Sequence, residues 1–133
     1  VDAWRSEALI SGLGGKLTVV RFGSDSDAEE GSERLVERVP TITALDSGTD
    51  AHLFDLTLDQ DGDGVIVGQG GVIRVKAGLP VSEMLPLESK PGFLWYGGIA
   101  KTSLHGGYVI VGANGTVLKT EIDVSDPEPL VRW

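Results

Sequence analysis

Two stretches of the chain decide its fold because they share one pattern. The first is GVIVGQGGVIRV (residues 64–75), and the second is YVIVGANGTVLK (residues 108–119). At an offset of 44 residues, four apolar positions (65, 66, 67 and 73) and two glycines (68 and 71) of the first stretch coincide with those of the second. A weaker copy, ALISGLGGKLTV, occupies residues 8–19, which is 56 residues before the first stretch. Three repeats of about 44 residues would nearly fill the 133 residues.

Each copy predicts a β-hairpin. A run rich in β-branched residues leads into a glycine-rich turn, and a second run with period-two alternation follows. Asn114-Gly115 is typical of a type I′ turn, in which both central residues take positive φ. Gly70-Gly71 and Gly14-Gly15 can meet the same requirement without a side chain.

The segments that flank the hairpins predict four strands in each repeat. Residues 52–58 and 93–100 alternate as first strands, whereas residues 82–87 and 128–133 contain prolines that suit outer edge strands. We therefore expect an all-β single domain, or a propeller fragment, built from about three four-stranded antiparallel repeats. Their approximate ranges are 1–44, 45–89 and 90–133.

Composition excludes several classes of protein. Cysteine is absent, so disulfides, thiol nucleophiles and cysteine-ligated zinc are ruled out. The net charge of −9 disfavours nucleic acid as a partner, and no apolar run approaches the length of a membrane span. Because the first residue is Val1, we expect a processed form or a piece of a longer polypeptide. Nothing in the sequence indicates a compartment.

The glycine-rich repeats resemble a known family. Residues 97–100 and 106–120 are similar to blades of β-propellers of the BNR and photosystem-assembly-factor type. The resemblance covers residues 50–133 well and residues 1–40 loosely, and it implies four-stranded propeller blades. The Ser-x-Asp-x-Gly-x-x-Trp box of sialidase-like blades is absent from residues 120–126, so the resemblance does not imply a glycosidase.

The first third of the chain also fits a different fold. Residues 16–23 could form a strand, residues up to 39 a helix, and residues 41–45 a second, parallel strand. This order is similar to the opening of thioredoxin-like domains, including cysteine-free spliceosomal members. That α/β alternative implies a binding protein without redox chemistry, although the chain after residue 40 shows no helical periodicity.

Two acidic segments have more than one interpretation. Residues 24–34 hold five acids and predict a solvated loop, which is either plain surface or a docking loop for a basic partner. Asp59, Asp61 and Asp63 occupy positions 1, 3 and 5 of a calcium-loop pattern, with Gly64 at position 6. Position 12 is Gly70, where an EF-hand needs glutamate, and position 9 is Val67, where integrin-type blades carry an acid. Bound calcium and a simple acidic turn therefore both remain open.

No catalytic constellation is visible in the sequence. His52 and His105 each lack a neighbour at metal-ligand spacing, and Gly68–Gly71 is not followed by the Lys-Ser/Thr of a phosphate loop. We therefore expect a non-catalytic interaction or assembly module that presents its loops on a β scaffold.

Carbohydrate binding or processing is the alternative function. Four aromatic residues could serve as stacking platforms for sugars, or could equally pack in the core. They are Trp4, Trp95, Tyr96 and Trp133.

Self-association, or a protein partner, is expected from the number of repeats. A closed propeller needs at least four blades, so three repeats would leave an open arc with exposed edges. Two copies could then complete a six-bladed ring about a two-fold axis, with Trp133 at a junction between blades.

Overall fold

The protein is all-β, as the sequence predicts. The computed structural model describes residues 1–22, 39–87, 95–102, 107–122 and 131–132, which form twelve strands in three four-stranded antiparallel sheets. The first sheet contains β1 (Asp2–Trp4), β2 (Glu7–Ser11), β3 (Leu17–Arg21) and β4 (Thr41–Leu45). The middle sheet contains β5 (Leu53–Leu58), β6 (Gly64–Gly68), β7 (Gly71–Lys76) and β8 (Leu79–Pro80). The third sheet contains β9 (Tyr96–Lys101), β10 (Gly107–Gly112), β11 (Val117–Ile122) and β12 (Val131–Arg132).

Every sheet is a meander whose strands pair in chain order. This topology contradicts the thioredoxin-like alternative, which requires parallel strands at residues 16–23 and 41–45. β3 and β4 pair antiparallel instead, with Leu17 opposite Leu45 and Arg21 opposite Thr41. The helix expected before β4, and the acidic segment 24–34, lie outside the described residues.

The three hairpins close in two different ways. In the middle sheet Gly68 pairs with Gly71, which leaves the two-residue turn Gln69–Gly70. The first and third hairpins have wider loops, in which the N–H of Gly12 donates to the carbonyl of Lys16 and the N–H of Gly112 to that of Thr116, both at 2.9 Å.

The turn glycines follow the predicted backbone conformations with one correction. Asn114 and Gly115 take positive φ of 58° and 72°, as predicted, although their loop is wider than a type I′ turn. Gly71 is not among the residues with positive φ. It is required for space, because a Cβ there would lie 2.1 Å from the carbonyl oxygen of Leu85.

The outer edge of the middle sheet lies earlier than predicted. β8 is the short strand Leu79–Pro80, and the predicted edge segment 82–87 contributes a single bridge between Leu85 and Val72. In that bridge the two residues exchange hydrogen bonds of 2.7 and 2.9 Å. The outer edge of the middle sheet therefore consists of two separate pieces, β8 and the bridge at Leu85.

The middle sheet is buried on both faces, so the three sheets form a stack. We call the face of a sheet that points to the preceding sheet in the chain its leading face, and the opposite face its trailing face. The core between the first and middle sheets includes Leu9, Leu17, Val19, Leu56, Ile66 and Ile73. The core between the middle and third sheets includes Val65, Val67, Val72, Tyr108, Ile110 and Ile122.

Hydrogen bonds between first strands hold neighbouring sheets together. β5 contacts both β1 and β9. The Asp2 carboxylate of β1 accepts the N–H of Leu58 at 2.7 Å, and the Asp55 carboxylate of β5 accepts the N–H of Ile99 at 3.0 Å. The first strands of the three sheets therefore run side by side along the stack. Among the described residues, none forms a helix with the length and apolar character needed to cross a bilayer.

Candidate binding surface

One end of the stack gathers the three hairpin loops, and we call it the hairpin end. Strands β5 and β9 begin there, because Leu53 lies opposite Gly68 and Tyr96 opposite Gly112 in their antiparallel pairs. Residues just before and at the start of these two strands consequently share a surface with the loops.

Three aromatic side chains form a row at the hairpin end. The rings of Phe54 and Trp95 stack, with centroids 6.0 Å apart and an interplanar angle of 25°. His52 meets Phe54 edge to face at a centroid distance of 6.2 Å. Trp95 is 56 % exposed and Phe54 is 37 % exposed, so much of this apolar surface faces solvent. We call these three residues the aromatic row.

A β-bulge places Phe54 in the row. The register between β5 and β6 shifts between Leu53 and Asp55, so Phe54 has no partner on β6. A bulge re-aims the side chain of its extra residue, and bulges are common beside functional sites. The alternation of apolar and polar residues after Leu53 gives no sign of this bulge, so the sequence does not predict where the Phe54 side chain points.

The other two members of the row are held by the backbone of the hairpin loops. The carbonyl of His52 accepts the N–H of Gln69 at 2.8 Å, and its ring Nδ1 accepts the N–H of Gly14 at 2.8 Å. The carbonyl of Trp95 accepts the N–H of Ala113 at 2.9 Å. The row is thus tied to loops from all three sheets.

The structure separates the aromatic residues that the sequence groups together. Trp95 is exposed, whereas Trp4 and Tyr96 are 6 % and 2 % exposed and lie in the core. The Trp4 indole lies against Gly62 and Gly78, where a Cβ would come within 2.7 and 2.2 Å of the ring. Trp4 and Tyr96 therefore have the core role that the sequence left open for these rings.

Trp133 and His105, and the acidic segment 24–34, lie outside the described residues. Phe54 is the member of the row that sequence reasoning missed. In the sequence Phe54 is one of several apolar residues in the predicted strand 52–58, and nothing there distinguishes it from the others.

The opposite end of the stack carries the acidic loop of Asp59, Asp61 and Asp63. Asp59 Oδ1 accepts the N–H groups of Asp61 at 2.8 Å and Asp63 at 3.1 Å. Asp63 Oδ1 accepts the N–H of Ala77 at 2.8 Å, and Asp61 lies 3.7 Å from an Arg5 nitrogen. The three carboxylates thus contact different groups: backbone N–H groups of the loop for Asp59, the N–H of Ala77 for Asp63, and Arg5 for Asp61. No cluster of three or more His, Asp or Glu suited to a metal ion occurs in the described part of the chain.

Local charges and burial shift two pKa values near this loop. Burial alone would raise the pKa of Asp59, but the hydrogen bonds from Asp63 and Asp61 oppose it. With the Lys101 ammonium 3.6 Å from Oδ2, the net effect is a pKa below the usual 3.8. Burial raises the pKa of the Tyr108 hydroxyl above its usual 10.0, and the Asp59 and Asp63 carboxylates raise it further.

A cavity of about 370 Å³ lies beside the first hairpin loop. It is lined by residues 14–18 and by a second segment that includes Asp46 and Asp50. Among the lining residues, the buried Ser47 hydroxyl donates to the carbonyl of Gly15 at 2.6 Å. The lining contains one cation, Lys16, and two carboxylates, Asp46 and Asp50. These opposite charges do not favour the binding of either an anion or a cation.

Comparison of the chain with protein-family models, with curated proteins and with solved structures gives no match in any of the three.

Proposed function

We propose that this chain is a non-catalytic interaction module that binds a protein partner through the aromatic row. The observation that carries the proposal is the stacked pair of Phe54 and Trp95, both partly exposed at the hairpin end. Leaving apolar surface in water costs about 25 cal/mol for each Å². Tryptophan and other aromatic residues dominate the binding energy of protein interfaces when a partner buries them.

The row is suited to binding because its geometry is fixed before a partner arrives. His52 is held by Gly14 and Gln69, and Trp95 by Ala113, through backbone groups rather than flexible side chains. A preorganised surface loses little conformational entropy on association. A rigid apolar surface tied to three loops is therefore a favourable docking site.

The contacts of the His52 ring favour a binding role over a catalytic one. Its Nδ1 accepts a backbone N–H, so in the neutral ring the proton resides on Nε2. The contacts that fix this imidazole are a backbone amide and the ring of Phe54. Neither is a nucleophile or a carboxylate that would orient a general base.

We also propose that the scaffold is an arc of propeller-type blades. Each sheet is a four-stranded meander, and the first strands lie side by side, as inner strands do in a propeller. Ile66 and Ile110 are 44 residues apart, and each faces the preceding sheet of the stack. This agreement in side-chain direction supports a repeat with one structural unit per sheet.

Carbohydrate binding is the second candidate, and the exposure of Trp95 favours it. An indole face can stack on the C–H groups of a sugar ring, and the adjacent Gln69 is an exposed polar residue. Trp4 and Tyr96, being buried, do not contribute to this candidate. The two candidates use the same surface and differ in the chemical class of the ligand.

Matched aromatic substitutions test the proposal. Trp95→Ala and Phe54→Ala remove the stacked pair, and Phe22→Ala removes another ring that is 48 % exposed. The immobilised proteins are used for affinity capture, and the captured partner is purified so that its Kd can be measured by calorimetry. Trp95→Ala should weaken binding about 30-fold, which is the effect of losing about 2 kcal/mol, whereas Phe22→Ala should not.

Equal Kd values for the two row variants and the parent protein would contradict the proposal. A glycan array probed with the same proteins distinguishes the second candidate. Glycan binding that Trp95→Ala abolishes and Phe22→Ala preserves would favour the carbohydrate ligand.

A further inference from the structure

Exposed apolar residues occupy much of the two outer faces of the stack. The first sheet exposes on its leading face a patch of six small or apolar residues, defined by the pairing of β2, β3 and β4: Ala8, Ile10, Thr18, Val20, Ile42 and Ala44. Ile10 is 41 % exposed and Ile42 is 68 % exposed. On its trailing face the third sheet carries Ala100, Val109, Val111 and Val117, together with the charged residues Lys119 and Glu121. Val111 is 44 % exposed and Val117 is 67 % exposed.

These outer faces match the inner faces that already pack within the chain. Ile10 corresponds to Ile66, which is fully buried on the leading face of the middle sheet. Val109 and Val111 correspond to Val65 and Val67, which are fully buried on the trailing face of that sheet. In the described part of the chain, the leading face of the first sheet and the trailing face of the third sheet therefore pack against no other sheet.

Lys119, an exposed cation on the trailing face of the third sheet, agrees with the correspondence. Lys119 lies opposite Val109, just as Arg74 lies opposite Val65 in the middle sheet. Arg74 is only 4 % exposed, so the interface between the middle and third sheets accommodates a long cationic side chain at this position. Lys119 should therefore not prevent another sheet from packing on the trailing face of the third sheet.

We propose that a second copy of this chain covers both faces in a head-to-tail arrangement. The leading face of the first sheet in one copy packs on the trailing face of the third sheet in the other. Because the same contact forms twice, the pair closes about a two-fold axis into a ring of six sheets. Each new contact repeats an arrangement that the chain forms twice internally.

The area of these contacts is sufficient for a stable dimer. Four strands spaced about 4.8 Å apart and five residues long, at about 3.3 Å for each residue, give a face of roughly 320 Å². The ring covers four such faces, or roughly 1,300 Å² in total, which lies within the range of specific protein interfaces. The net charge of −9 opposes association, so the dimer should weaken at low salt.

Charge substitutions of opposite sign test the head-to-tail arrangement. Ile10→Lys alters the outer face of the first sheet, and Val111→Glu alters that of the third. Leu79→Lys is the matched control, since Leu79 is 47 % exposed on β8, away from both faces. Mass is measured by multi-angle light scattering over a concentration series, and far-ultraviolet circular dichroism verifies that each variant is folded.

The parent protein and Leu79→Lys should have twice the chain mass of 14.0 kDa. Ile10→Lys and Val111→Glu alone should each raise the dimer Kd at least about tenfold, because each buries an unpaired charge twice. An equimolar mixture of the two should recover the dimer, since one contact is then unaltered and the other joins a lysine to a glutamate.

Three results would overturn the proposal. They are a parent protein that stays at 14.0 kDa throughout, a loss of dimer in one face variant only, and open filaments in place of a closed pair. Association through the two outer faces does not involve the aromatic row. Trp95→Ala should remain dimeric even where it loses its partner, so failure of one proposal can be told from failure of the other.

Discussion

Replacing Trp4 or Trp95 by alanine should have very different effects on stability. The two residues are chemically identical, but Trp4 is 6 % exposed and Trp95 is 56 % exposed. Trp4 belongs to the core between the first and middle sheets, and its indole covers the backbone at Gly62 and Gly78. Trp95 contacts Phe54 at the surface.

The magnitude follows from burial. An aromatic side chain of this size buries about 200 Å², which at about 25 cal/mol for each Å² gives roughly 5 kcal/mol as an upper value. Because alanine retains part of that surface, we expect Trp4→Ala to lower the free energy of unfolding by about 4 kcal/mol. Trp95→Ala loses mainly a stacking contact, which is about 1 kcal/mol.

Chemical and thermal unfolding followed by circular dichroism measure the difference. A chain of 133 residues has an unfolding entropy of about 0.28 kcal/mol/K, so Trp4→Ala should lower Tm by roughly 14 °C and Trp95→Ala by roughly 4 °C. Both variants should be compared at one protein concentration, because association contributes to apparent stability.

Equal losses in the two variants would refute the reasoning. So would a loss below about 1 kcal/mol for Trp4→Ala, since a tryptophan in the core cannot be removed that cheaply. Either outcome would mean that Trp4 is not enclosed between the first and middle sheets.

Three further predictions concern the loops. Gly15→Ala should lower the free energy of unfolding by several kcal/mol, because the new Cβ would lie 1.7 Å from a backbone oxygen. Gly115→Ala has a similar positive φ but open space around it, so it should lower the free energy of unfolding by only about 1 kcal/mol. Equal losses of the two variants in urea denaturation would contradict this. Because the pKa of Asp59 is lowered in the folded protein, its ionised form stabilises the fold above about pH 4, and this contribution disappears as the pH falls through the folded value. Asp59→Asn should therefore flatten the fall of Tm between about pH 5 and pH 3, and an unchanged pH profile would count against the lowered pKa. If the acidic loop binds calcium, millimolar calcium should raise Tm in the parent protein and not in Asp61→Ala; no shift in the parent would leave the loop as a turn.

The sequence by itself determined the β-hairpins of the repeats and their antiparallel pairing. Alternation and turn glycines are local signals, because a hairpin forms between neighbouring segments whose pairing depends on side-chain period and turn conformation. The positive φ of Asn114 and Gly115 was readable for the same reason. The need for glycine at position 71 could not be predicted, because a Cβ there would clash with the carbonyl of Leu85, a residue outside the hairpin.

Only the tertiary structure decided which aromatic rings are available to a partner. Trp4 and Trp95 lie in or beside strands of similar apolar character, and alternation shows that a strand has two faces without showing which face another sheet covers. The Phe54 bulge is likewise invisible in the sequence, because it arises from the register of β5 against β6. Exposure of a side chain depends on which sheets lie next to each other, and that arrangement follows from contacts between residues far apart in the chain.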